Sequence, residues 1–202
     1  MDAFIRRLIE NEEQAVTSVM AFMSYNPSIG RVLQKGGVRK FQDIVTRVAP
    51  QMARIADRRA FDLFHHSFVA EVLSTFTTAR GGSLSYGQAQ KPVNVFFKVY
   101  ADWARKPSDA VRERLLPHLH VPLDSILMRE VKREYPTWYH EVIRPLLSRA
   151  QQEFSLSMID EERYMKWQRF FRDKHPDKPL LFDVTWALSR KKGRQTRRHD
   201  TE

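Results

Sequence analysis

Apolar residues recur every three to four positions over most of the chain, a spacing typical of amphipathic helices. Residues 117–123 should instead be extended, because prolines and alternating histidines disfavour a helix there. No segment alternates with a period of two for long enough to indicate a strand. The pattern predicts helices over about 2–24, between Gly37 and Pro50, and over about 51–79, 86–105, 109–116, 124–135, 136–152, 158–174 and 180–190. We therefore expect an all-α protein with a single domain over residues 1–188.

Composition narrows the class of protein. A chain of 202 residues with 42% hydrophobic content can bury one sizeable core. It contains no cysteine, which excludes disulfides, thiolate metal sites and cysteine nucleophiles. The first 23 residues are interrupted by charges, so they match neither a signal sequence nor a membrane span. We expect a soluble cytoplasmic protein that does not contact a membrane.

The net charge of +10 is concentrated in part at the end of the chain. Residues 189–202 contain six Lys or Arg against two acidic residues, and we expect them to form a flexible basic tail. Such a charge attracts polyanions, nucleic acid first and an acidic membrane surface second. A tail that only improves solubility is the alternative. The tail residues expected to contact DNA are Arg190, Lys191, Lys192 and Arg194.

Lys91 is a polar residue in a segment otherwise suited to burial. On a helix that starts at Tyr86, Lys91 shares a face with Gln88 and Lys98, while Gln90 and Asn94 lie beside that face. The helix dipole and partial desolvation both disfavour the ammonium form in the first two turns. A lysine at this position is a candidate nucleophile. The alternative is a lysine that extends its side chain to solvent.

Asp124 follows an extended segment that ends in Pro122-Leu123. An aspartate just before an apolar run is a good helix N-cap, and capping alone explains this residue. Its carboxylate could also stabilise positive charge near Lys91. Taken singly, Lys91 and Asp124 both have ordinary structural explanations.

Taken together, residues Gly81 to Asp124 resemble the helix-hairpin-helix superfamily of DNA glycosylases, with the archaeal 8-oxoguanine glycosylases as the most similar branch. In that superfamily a glycine-containing hairpin precedes a helix with a catalytic lysine, and a Pro-Val-Asp segment supplies an aspartate at a later helix start. Gly87, Lys91 and Asp124 occupy these positions here. The chain departs from the pattern at Leu84-Ser85-Tyr86-Gly87, where the family has Leu-Pro-Gly-Val-Gly, and at Leu123, where it has Val. The resemblance covers about a fifth of the chain.

The resemblance implies a helical fold of the helix-hairpin-helix glycosylase type that extracts a modified base from double-stranded DNA and excises it, leaving an abasic site. Lys91 would attack C1′ to form a Schiff base that can proceed to strand cleavage, and Asp124 would stabilise the cationic sugar. No cofactor or metal is implied, and a monomer is expected. A hypermodified viral base, such as glucosylated hydroxymethylcytosine, is one candidate substrate in antiviral defence.

The expected base-pocket residues are Tyr86, Gln88, Gln90, Asn94 and Lys98. The expected DNA contacts outside the tail are Gly81, Gly82, Ser83, Ser85, Gly87, His118 and His120.

Two other functional classes remain open at this point. Arg59 and His65, with five residues between them, match the short Arg-x4–6-His pattern of the HEPN ribonucleases. A non-enzymatic DNA-binding protein would use the basic body and tail alone. His118 and His120 fall on one face of an extended segment, but no third metal ligand with suitable spacing accompanies them.

Overall fold

The computed structural model describes residues 3–26, 28–148 and 153–185. Within these residues all the regular elements are helical, and two isolated β-bridges are the only extended pairings. The α-helices are α1 (Ala3–Tyr25), α2 (Gly37–Val48), α3 (Arg58–Thr75), α4 (Tyr86–Phe97), α5 (Asp109–Leu115), α6 (Ser125–Glu134), α7 (Pro136–Trp138) and α8 (Glu161–Lys174). The predicted all-α class is confirmed for this part of the chain.

Several short helical turns extend or connect these elements. A π-helical turn continues α4, and another continues α7. The π turns span Lys98–Trp103 and Tyr139–Ile143, and the 3-10 turns span Ala49–Arg54, Arg144–Leu146, Leu156–Met158 and Pro179–Asp183. Residues 117–123 contain no regular helix, as the two prolines indicated.

Some predicted helix boundaries were wrong. The helix expected over 51–79 is broken at Asp57, whose side chain caps α3 by accepting a hydrogen bond from the Ala60 N–H. Ser157 and Asp160 have the spacing of a capping box, which predicts Ser157 as an N-cap, but Asp160 is the N-cap of α8. The helix expected over 136–152 consists of short turns up to Leu146, and residues 149–152 lie outside the described part. The last predicted helix is a 3-10 turn at its start, and its end lies outside the described residues.

The core is built around α4. Eleven of its twelve residues are buried, and the helix packs against α1, α3 and α8. The largest fully buried side chains around it are aromatic, including Phe61, Phe68 and Trp167. Burial of such rings contributes most of the favourable free energy of this core. Polar residues of α4 must therefore be paired or face a cavity.

The helical spacing of apolar residues in α1 indicates a face that includes Val19, Phe22 and Met23, but this is not the buried face. Ala21, Ser24 and Tyr25 are buried against the core, whereas Val19, Phe22 and Met23 are about half exposed. α1 has apolar residues on several sides, so helical spacing alone does not select the buried one. The exposed set leaves apolar surface near the end of α1.

The connection from α3 to α4 is a small turn paired with the loop after α1. Thr77 bridges to Ser83, and Thr78 bridges to Leu33. Gly81 has a φ of +80°, a left-handed conformation that glycine adopts without strain. This pairing holds the loop between α1 and α2 against the connection that leads into α4. No helix in the described part is long and apolar enough to cross a membrane.

Candidate active site

The start of α4 is closed by the protein itself. Ser85 caps the helix by accepting from the Gln88 N–H, while the Gln88 side chain accepts from the Ser85 N–H. The Gly87 N–H donates to the Ile159 carbonyl at 2.9 Å, and the Ser85 hydroxyl donates to the Leu156 carbonyl at 2.7 Å. The loop before α8 thus occupies the first turn of α4 and fixes where the helix begins.

This start places Lys91 in the second turn, where its side chain meets Asp124. The Lys91 Nζ lies 3.0 Å from Asp124 Oδ2 and 3.4 Å from the Pro122 carbonyl oxygen. Lys91 is 8% exposed, so the pair is largely desolvated. A charge-assisted hydrogen bond in such surroundings is strong and directional. Two residues 33 positions apart therefore form one polar unit.

The two carboxylate oxygens of Asp124 contact different groups. Oδ1 accepts hydrogen bonds from the N–H groups of Ile126 and Leu127, at 3.0 and 2.8 Å, and so caps α6. Oδ2 is left to face Lys91. The carboxylate therefore both caps α6 and contacts the Lys91 amine. The cap fixes the orientation of the oxygen that meets the amine.

The extended segment before Asp124 is fixed by hydrogen bonds to buried side-chain amides. Gln168 of α8 accepts from the Val121 N–H at 2.8 Å and donates to the Val121 carbonyl at 2.9 Å. From α4, Asn94 donates to the Val121 carbonyl and Gln90 to the Leu123 carbonyl, both at 3.4 Å. These contacts replace the backbone partners that an extended segment would find in a sheet. They position Asp124 relative to α4.

A cavity of about 620 Å³ opens beside the Lys91–Asp124 pair. Its wall includes Gln88 and Lys91 of α4, Lys98 at the start of the following π turn, and the carboxylates Asp124 and Asp183. Lys98 lies seven residues after Lys91, which is about 10.5 Å along a helix and nearly the same angular position. Its Nζ donates to Asp183 Oδ2 at 2.6 Å. The cavity therefore presents two lysine–aspartate pairs in one row.

Trp103 lies at the mouth of this cavity with 62% of its surface exposed. The Lys98 Nζ lies 4.6 Å from the centre of its ring, a cation–π contact. The π turn that follows α4 aligns residues five apart, and this brings Trp103 next to Lys98. A large aromatic side chain in an apolar-rich helix favours a position in the core, but the structure exposes Trp103 instead.

The predicted base-pocket residues divide into two groups. Gln88 and Lys98 line the cavity with Lys91. Gln90 and Asn94 are fully buried on another side of α4, and Asn94 donates to Gln90 Oε1 at 2.7 Å. Tyr86 is also buried, with its ring centre 5.1 Å from that of Tyr164. These three residues support the site from the interior and do not line the cavity.

Behind the site lies a buried hydrogen-bonded chain. His120 joins Asp62 at 2.9 Å through Nε2 and the Tyr164 hydroxyl at 2.7 Å through Nδ1. The Asn94 amide donates to the Tyr164 oxygen at 2.8 Å, and Asn94 Oδ1 pairs with His65 Nε2 at 2.7 Å. Every donor in this chain has an acceptor when both imidazoles are neutral.

The surroundings enforce that neutral state. Burial lowers the pKa of His120 to about 4, although the hydrogen bond to Asp62 opposes this effect. Burial and the neighbouring His120 lower the pKa of His65 well below its usual range. Burial alone would raise the pKa of Asp62, but the hydrogen bond from His120 and the charge of Arg172 lower it to about 2.

The structure also locates the predicted DNA contacts. Gly81, Gly82 and Ser83 are exposed on the turn between α3 and α4. The hydroxyl of Ser85 and the N–H of Gly87 already have protein partners, so they are not open to a phosphate.

His118 is half-buried, whereas His120 is 1% exposed and belongs to the interior hydrogen-bonded chain. Both ring nitrogens of His120 are engaged, and no cluster of three or more potential metal ligands occurs within the described ranges. Arg190, Lys191, Lys192 and Arg194 lie outside the described residues.

The structure does not bring together Arg59 and His65, the two residues that match the ribonuclease pattern. Arg59 is exposed on α3, whereas His65 is buried and bonded to Asn94. Six residues along a helix place two side chains about 120° apart around its axis, which accounts for the separation. The HEPN-like alternative therefore has no support in the geometry.

Sequence reasoning missed Asp183 and Trp103. Asp183 lies 85 positions from its partner Lys98, so no local pattern indicated the pair. Comparisons with protein-family models, curated proteins and solved structures found no match for this chain.

Proposed function

We propose that this protein is a DNA glycosylase in which Lys91 and Asp124 act at the sugar C1′. One observation supports the proposal most directly. The largely buried amine of Lys91 contacts the carboxylate of Asp124, which also caps α6, at the wall of a large cavity. A binding protein that only neutralises phosphates has no need of such a pair, because it uses exposed cations. The helix-hairpin-helix type of fold remains part of this proposal.

The chemistry follows from the two groups. Asp124 Oδ2 accepts from Lys91 Nζ, so it is placed to take a proton from the amine. The free amine attacks C1′ while the bond from C1′ to the base nitrogen breaks, and the base leaves with the electron pair and gains a proton. Asp124 would pass the proton it took on to the departing base, and its carboxylate would then stabilise the positive charge that develops on the sugar. The product is a covalent N,O-acetal at C1′. Its sugar ring opens when the bond from C1′ to O4′ breaks and O4′ gains a proton, and this gives the Schiff base.

The second pair suits recognition of the departing base. Lys98 presents a donor and Asp183 an acceptor on the same wall as Lys91. A flipped base bound at C1′ near Lys91 would direct its far edge along α4 toward this pair. The separation of about 10.5 Å along the helix is of the order of one base with a hydrogen bond at each end.

Borohydride trapping tests the proposal, with duplexes that carry single damaged or virus-type modified bases. The wild-type protein should form a covalent adduct on at least one substrate and release the base. Lys91→Gln should abolish the adduct, whereas Lys40→Gln, at an exposed site on α2, should leave it unchanged. If no substrate in the panel yields an abasic site or an adduct, the proposal fails and a non-enzymatic DNA-binding protein becomes the better description.

A further inference from the structure

An apolar rim surrounds the mouth of the cavity. Met23, Val32 and Trp103 each line the cavity and are each exposed to solvent, at 45%, 38% and 62%. Exposed large apolar side chains gathered at one opening are unusual for a surface that faces only water. Trp103 is the most exposed of them, and its ring is held by Lys98.

The loop that carries Val32 also carries cations. Arg31 and Lys35 are exposed on this loop, and Arg80 is exposed on the turn bridged to it. The bridge from Leu33 to Thr78 and the bond from the Ala79 N–H to the Val32 carbonyl bring the two segments together. None of the three cations forms an ion pair with an acidic residue in the described part of the chain. All three are exposed to solvent, so a partner can contact them.

We infer that the cavity rim is a nucleic-acid docking face, where Trp103 stacks on a base and Arg31, Lys35 and Arg80 contact phosphates. Flat aromatic rings bind bases of any sequence by stacking, and exposed cations near them contact the phosphates of the nucleic-acid backbone. This arrangement replaces the first turn of α4 as the phosphate-binding element, since that turn is already occupied by the loop before α8. The orientation of the nucleic acid over the cavity rests on the proposed function.

The role of the cations is tested with an unmodified duplex, so that no base excision is needed. The triple substitution Arg31→Gln, Lys35→Gln and Arg80→Gln should weaken binding and reduce the slope of log K against log salt concentration by about 2.7, which is about 0.9 for each phosphate that is no longer neutralised. The control is Arg54→Gln, Arg59→Gln and Arg169→Gln, which removes the same charge from exposed sites elsewhere. The control should change the slope by less than about 1.

The stacking interaction is tested with a single-stranded oligonucleotide. Trp103→Ala should weaken binding about tenfold or more, whereas Trp103→Phe should keep most of the affinity. Quenching of tryptophan fluorescence on binding should disappear in both variants. Circular dichroism of each variant should match the wild type, because Trp103 is mostly exposed.

Two results would overturn the inference. One is an equal decrease of salt dependence in the two triple variants, which would make the effect one of overall charge. The other is binding to vesicles of phosphatidylserine and phosphatidylcholine with greater affinity than to DNA, again dependent on Arg31, Lys35 and Arg80. Failure of base excision with a normal response of these variants would reject the proposed function and leave the docking face in place.

Discussion

At the scale of single residues, Asp124 shows how one side chain joins helix stability to the site. Its Oδ1 caps α6 while its Oδ2 meets Lys91. Substitutions can separate these two contributions, because asparagine caps helices nearly as well as aspartate but carries no charge.

We expect Asp124→Asn and Asp124→Ala to lower base excision alike, by about 10²- to 10³-fold, since both remove the stabilising charge. Their stabilities should differ, because alanine also removes the cap, at a further cost of about 1 kcal/mol. Excision assays and urea unfolding of both variants check this. Equal stability of the two variants would contradict the capping role.

The buried histidines predict how stability depends on pH. His120 has a pKa of about 4 in the folded protein and about 6.5 when unfolded, so the unfolded chain binds more protons between these values. The free energy of unfolding should therefore fall as pH decreases from about 6.5 to about 4, by about 3 kcal/mol for this residue. Burial lowers the pKa of His65 in the same direction and adds to the loss of stability.

Urea unfolding at several pH values between about 7 and about 4 measures this decrease. His120→Gln removes one titrating group, so the variant should be less stable at neutral pH but should lose less stability on acidification. An identical pH dependence in the variant and the wild type would show that another group is responsible.

At the scale of elements, much of the arrangement could be predicted from the sequence. The burial of α4, the extended segment before Asp124 and the start of α6 follow from local apolar spacing, prolines and a capping residue. The face of α1 and the pairing of Lys98 with Asp183 could not be predicted this way. The first is ambiguous on a helix with apolar residues on several sides, and the second depends on how distant segments pack.

The packing of α4 against the loop before α8 predicts a specific sensitivity at Gly87. A Cβ added there would lie 2.4 Å from the Leu156 carbonyl oxygen and 2.6 Å from the Ile159 Cβ. We expect Gly87→Ala to cost about 1–3 kcal/mol, because the backbone on either side must shift. Thermal or urea unfolding measures the cost.

Gly82→Ala is the matched control for this substitution. A Cβ at Gly82 would meet only the Thr78 hydroxyl at 3.4 Å, an ordinary contact distance. The change in the unfolding free energy should be within about 0.5 kcal/mol. A Gly87→Ala variant as stable as this control would show that the two segments do not pack as closely as described.

At the scale of the whole molecule, the site lies where several elements meet. α1 and the following loop form one side of the cavity, α4 its back wall, and the segments around Asp124, Leu156 and Asp183 the remaining sides. The elements that line the cavity are separated by much of the chain, so the site exists only in the folded protein. The net charge of +10 favours approach of a polyanion to the protein.

The ion pair of Lys91 and Asp124 implies a trade-off between stability and the proposed base excision. Two charges were removed from water to build it, and buried pairs of this kind are often no more stable than apolar replacements. Lys91→Met combined with Asp124→Asn should equal the wild type in the free energy of unfolding or exceed it by about 1–4 kcal/mol, while losing all excision. Lys91→Met alone should be less stable than the double variant, because it leaves a carboxylate without its cation. That result would show that folding does not require the Lys91–Asp124 pair at the cavity wall.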